Sequence, residues 1–132
     1  MDITKDATNQ EKENAGIWVK FDDDTEFLVG SLNSRKYKNA YGRRIEEIRR
    51  VTRKPSAEQV EEIISATYAE AVLLGWKNVF EFGKQVEYSH EKSLIIFKNC
   101  PVAREFILLT AANNDNFRNE ALEEIKKNAG ES

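Results

Sequence analysis

Cysteine, histidine and methionine each occur once in this chain of 132 residues, and proline only twice. The lone Cys100 forbids an internal disulfide, and with a single histidine, His90, the usual structural zinc sites lack ligands. Such a chain suits a reducing compartment. Long apolar runs are missing as well. LII at 94–96 and FILL at 106–109 fall far short of the roughly 18 to 20 residues that cross a bilayer. Residues 2–14, DITKDATNQEKEN, lack the apolar core of a signal peptide. The sequence therefore predicts a soluble protein with no membrane partner, and its length suits one domain that buries about two-thirds of its unfolded surface.

Catalytic signatures are equally scarce. No phosphate-binding loop, GxGxxG, GxSxG or metal-binding histidine pair occurs. Asp22, Asp23 and Asp24 lack the alternating ligands and distant bidentate Glu of a calcium loop, and read as a hairpin turn. His90 and Cys100 lie within one short stretch, but a helix between them would hold them roughly 15 Å apart. A nucleophile and its base need about 3 Å. His90 reads as an exposed first-turn residue, Cys100 as a small semi-apolar residue ahead of the next helix. The expectation is no enzyme, no catalytic residues, no metal and no cofactor.

What is present is charge, unevenly spread. Residues 1–26 hold 8 acids and 3 bases, residues 27–54 hold 2 and 9, and residues 55–132 hold 13 and 8. The central block is the one strongly basic region of an acidic chain with net charge −3.

The apolar pattern supplies the fold. Ile17, Val19 and Phe21 alternate with polar or exposed positions, DDDT turns the chain, and EFLVG returns it as a hairpin. From 35 to 53 the period becomes helical, with Tyr37, Ala40, Tyr41, Ile45, Ile48 and Val51 on one side and bases opposite. Glu46 is set to pair with Arg50, and Arg43 with Glu47, at i,i+4. Arg44 alone points into the apolar stripe, where it would reach a partner or a buried carboxylate. Pro55 closes this helix, and Ser56 with Gln59 forms a capping box for the next. That helix carries Val60, Ile64, Thr67, Ala71 and Leu74, with Gly75 placed to end it in the left-handed conformation. Residues 78–88 read as an irregular connector with some strand character at 79–82. Ser89 caps a short helix to about Lys98, Pro101 opens another, and NNDN at 113–116 caps a last one carrying Phe117, Ala121, Leu122 and Ile125.

The predicted fold class is mainly α, a small bundle of about five helices with an N-terminal β-hairpin as its α+β minority. Residues 1–14 are expected as a disordered tail, 15–128 as a single globular domain and 129–132 as a flexible end.

The order of features GWKNV, VEYS at 86–89, NCP at 99–101 and DNF at 115–117, together with the front segment WVKFDDDTEFLVGSL, resembles the tail assembly chaperones of long-tailed bacteriophages over residues 17–128. That resemblance implies a noncatalytic protein of the host bacterial cytoplasm, absent from the mature virion. It would bind the tape measure protein and help recruit tail tube subunits, with homo-oligomers also open. Trp76, Tyr88, Pro101 and Phe117 match the family's pattern and also fit core or capping roles. The candidate partner-binding residues are Arg43, Arg44, Arg49 and Arg50 on the basic helix, with Trp76 and Tyr88. Two alternatives stand beside this reading: a nucleic-acid-binding or regulatory protein using the basic helix at 35–54, and a structural tail or head-tail component.

Overall fold

The computed structural model describes residues 1–118. The expected end of the last helix, with Ala121, Leu122 and Ile125, and the C-terminal end at 129–132 lie outside them. At the N-terminus the structure corrects the disordered tail. Residues 2–14 contribute two short helices, α1 (Ile3–Asp6) and α2 (Gln10–Ala15). Asn9 caps α2 by accepting from the N–H groups of Glu11 and Lys12, and Gly16 ends it at φ 84°, where its amide donates to the Lys12 carbonyl. Composition misleads here because the segment is held by backbone bonds. The Asn9 amide donates to the Phe117 carbonyl at 2.8 Å, the Ser31 amide donates to the Glu13 carbonyl at 3.0 Å, and Thr8 bridges Arg118. Glu13 itself is buried, with its carboxylate accepting from the Thr8 hydroxyl.

The hairpin forms as expected, β1 (Ile17–Lys20) against β2 (Glu26–Val29). Asp22 shapes the turn, its carboxylate accepting from the amides of Asp24 at 2.9 Å and Thr25 at 2.6 Å. Two long helices follow, α3 (Arg35–Arg49) and α4 (Ala57–Ala71). The capping box is present: the Gln59 amide donates to Ser56 Oγ at 3.1 Å and the Ser56 amide to Gln59 Oε1 at 2.8 Å. Two boundaries differ from the pattern. α3 stops at Arg49, so Val51 leaves the apolar stripe and stands 80% exposed in the turn. α4 stops at Ala71, and the chain continues as β3 (Leu73–Lys77), antiparallel to β2. Gly75 lies inside this strand, outside the left-handed region. A helical stripe ending in Leu74 cannot be told by periodicity from a helix followed by a short buried strand.

The hairpin is thus two strands of a three-stranded sheet in the order β1-β2-β3. Phe27, Val29, Leu73 and Trp76 line its inner face and are buried. On the outer face Trp18, Leu28 and Gly75 stand in one row and Lys20, Glu26 and Lys77 in the next, with Lys77 Nζ 4.3 Å from the Trp18 ring centre. Gly30 marks the closest approach: its amide donates to the Val72 carbonyl at 2.8 Å, and a Cβ there would sit 2.9 Å from the Ala71 carbonyl oxygen.

A two-residue turn then joins β4 (Phe80–Glu81) to β5 (Lys84–Gln85) where an irregular connector was expected. α5 (His90–Asn99), capped by Ser89, and α6 (Pro101–Ala112), opened by Pro101, begin where the sequence places them, and a 3-10 turn covers 114–117. Phe97, Ala103, Ile107 and Ala111 close over the sheet's inner face. The result is an α-rich α+β domain, with four long helices and two short antiparallel sheets among the described residues. The core thus draws on the sheet as well as on the helices, where a helical bundle with an added hairpin was expected.

Candidate functional site

The four candidate arginines, three on α3 and Arg50 at its C-cap, divide into two groups. Across the α3–α4 contact, Arg43 Nη2 donates to both Glu70 carboxylate oxygens at 2.7 and 2.8 Å, and Arg44 Nη2 donates to Oε1 at 3.0 Å. Burial alone would raise the Glu70 carboxyl, but the Arg43 hydrogen bonds and the charges of Arg43 and Arg44 outweigh it, holding the group below the usual carboxylate range. Arg44, the base in the apolar stripe, for which a partner or a buried carboxylate was expected, meets the part-exposed carboxylate of Glu70. Arg43 takes Glu70 in place of the expected Glu47. Arg49, not Arg50, reaches Glu46, at 3.7 Å. Arg50, with Arg35, Lys36, Lys38, Arg53 and Lys54, is exposed and makes no ion pair among the described residues.

Trp76 and Tyr88 come together inside the molecule. Their rings meet edge to face, 5.1 Å between centres at 77°. Trp76 Nε1 donates to the Val86 carbonyl at 2.9 Å, and the Tyr88 hydroxyl donates to the Leu73 carbonyl at 2.7 Å. Burial pushes the Tyr88 phenol above its ordinary range, so the hydroxyl keeps its proton and the bond. The pair fastens the connector 78–88 to β3 and α4.

His90 and Cys100 sit at opposite ends of α5, as the first helical residue and the C-terminal cap. Among the described residues no cluster of three or more His, Cys, Asp or Glu side chains is placed to hold a metal ion.

The tertiary structure adds a site that the sequence did not single out. Between the 22–25 turn, the connector and the start of α6 lies an apolar groove of about 510 Å³. Phe21, Phe27, Val79, Phe80, Ile96 and Val102 supply its walls, and Cys100 also lines it. Phe21 packs between Phe27 and Phe106, each ring 5.3 Å away, which fixes the floor. Two wall residues face solvent, Phe80 at 58% exposure and Val102 at 72%. The signal for them was faint: a Phe in a polar connector and a Val directly after a helix-opening proline.

Beside the groove, the β4–β5 turn places Phe82 at φ 52° and Gly83 at φ 75°. Positive φ at both central residues is the geometry of a primed hairpin turn, which favours Asn-Gly and strains a bulky side chain at the first position. Phe82 is nevertheless there, 98% exposed.

A small α+β domain with a basic helix on one element and an apolar groove on others is the class defined by these features. Residues 32–128 match the family model of the YdaY prophage protein, and the chain belongs to that family. It is a phage or prophage protein. No curated protein and no solved structure matches it.

Proposed function

We propose that this member of the YdaY prophage protein family is a noncatalytic tail assembly chaperone. It works in the host cytoplasm, binds the tape measure protein, helps recruit tail tube subunits and is left out of the mature virion. The observation that carries this reading is the open apolar groove. A surface that leaves phenylalanine and valine in water suits a protein whose task is to cover apolar segments of another. The order of sequence motifs shared with tail assembly chaperones, and the prophage origin, support it.

Co-expression with the tape measure protein encoded in the same prophage tests it. The tape measure protein should move from pellet to supernatant and co-purify at high salt, since apolar burial is not screened. A tape measure protein that stays insoluble beside a soluble, folded partner would count against the reading. Finding the chain as a stoichiometric part of purified particles would favour the structural tail component instead.

The unpaired bases Arg50, Arg53 and Lys54 favour a second reading, nucleic-acid binding. Replacing Arg49 and Arg50 with Ser should leave tape measure solubilisation intact. If the basic helix does the work, the same pair of changes abolishes retention on DNA, and that retention weakens steeply with salt.

A further inference from the structure

We infer that the groove receives an amphipathic helix whose apolar stripe is flanked by lysine or arginine, and that the acidic turn at 22–24 pairs with those bases. This deepens the chaperone reading, and rests on it for the identity of the partner as a helical segment of the tape measure protein.

The shape comes first. A groove of about 510 Å³ falls within the size range of sites that bury a ligand. Its walls are aromatic and aliphatic, as a helix inserting residues at i, i+3, i+4 and i+7 requires. Charge then selects the helix. Phe21 and Thr25 line the groove, and the exposed turn between them, Asp22, Asp23 and Asp24, adjoins it in the chain. The Thr25 and Asp24 amides hold the Asp22 carboxyl below its ordinary range, which keeps this turn anionic.

Lys20, Glu26 and Lys77 stand on the opposite sheet face, Glu81 pairs with Lys92 at 3.0 Å, and Arg104 lines a separate cleft against α4. Asp23 and Asp24 project no side-chain hydrogen bond or ion pair within the described residues. The turn therefore offers carboxylates without an ion pair among the described residues beside the apolar wall, and an acidic helix is repelled where a basic one is drawn in. Phe82 stands exposed at the strained turn of the hairpin that carries Phe80.

Cys100 supplies the measurement, because it is the chain's one cysteine and lines the groove. Two synthetic helices of about five turns are compared: one with a Leu/Phe stripe flanked by Lys, and a twin with Glu replacing every Lys. The Lys-flanked helix should slow iodoacetamide alkylation of Cys100 and bind about tenfold more tightly than its twin at low salt. Asp23→Asn with Asp24→Asn should bring that ratio towards unity while leaving the Asp22 turn bonds in place. Val102→Asp should abolish protection. Phe80→Asp serves the same purpose should the first variant fail to fold.

Equal binding of the two helices, or protection that survives Val102→Asp, overturns the inference. So does sedimentation showing the groove already filled by a second copy of the chain. The tape measure protein separates the two levels. If it ignores the wild-type chain while the Lys-flanked helix still protects Cys100, the tail reading falls and the groove stands. If it binds wild type and Val102→Asp alike, the groove assignment falls and the tail reading stands.

Discussion

Glu70 joins two helices through two arginines, of which charge patterning had assigned one, Arg43, to Glu47. Arg43 and Arg44 both donate to it, and its pKa lies below the ordinary carboxylate value. A depressed folded pKa means that the stabilisation is present above the ordinary value and is lost as pH falls through the folded one. Glu70→Gln should therefore lower stability by about 1 kcal/mol at neutral pH, a modest cost because Arg43 is half exposed and the pair is screened. In urea titrations the gap from wild type should close in acid, and an equally large gap there would show that packing, not charge, is lost. Tyr88→Phe removes the bond to the Leu73 carbonyl and should cost about 1 kcal/mol without weakening partner binding. A binding loss with unchanged stability would instead put Tyr88 at the interface. Arg44 was legible because a base inside an apolar stripe needs a carboxylate. Glu70 was not, since its contact spans 26 residues of sequence.

Helix starts were the most readable elements, because a side-chain cap is a bond between residues three apart and proline at the first position gives up an N–H that would be unpaired anyway. Ser56 and Ser89 cap helices, and Pro101 opens one, where the sequence places them. Ser56→Ala should cost about 1 kcal/mol, seen as faster hydrogen exchange in the first turn of α4. Helix ends were harder. The end of α4 depends on β3 finding the open edge of β2, a contact with no local signature. The β4–β5 turn carries the sharpest conflict between stability and sequence. Phe82→Asn puts a residue that tolerates positive φ into a strained position, so it should raise the melting temperature, by roughly 0.5–1 kcal/mol of stability. Under the chaperone proposal, the same change should weaken tape measure binding. An unchanged affinity would leave the exposed Phe82 without a role.

Thr8 and Asn9, just ahead of α2, tie the N-terminal segment to Arg118 and Phe117. Deleting residues 1–15 should therefore lower the urea midpoint well below that of the full chain, with increased exchange around Ser31 and Phe117. A truncated chain of full stability would restore the tail reading of this segment. The amino-acid order alone was enough for the caps at Ser56 and Ser89, the 22–25 turn, the short β-hairpin and the existence of the long helices, because those follow from backbone bonding and periodicity over a few residues. The third strand, the ordered N-terminus, the Glu70 junction and the groove needed the folded chain. Each joins segments far apart in sequence, and long-range pairing is settled by which surfaces meet when the core closes, a choice no local pattern encodes.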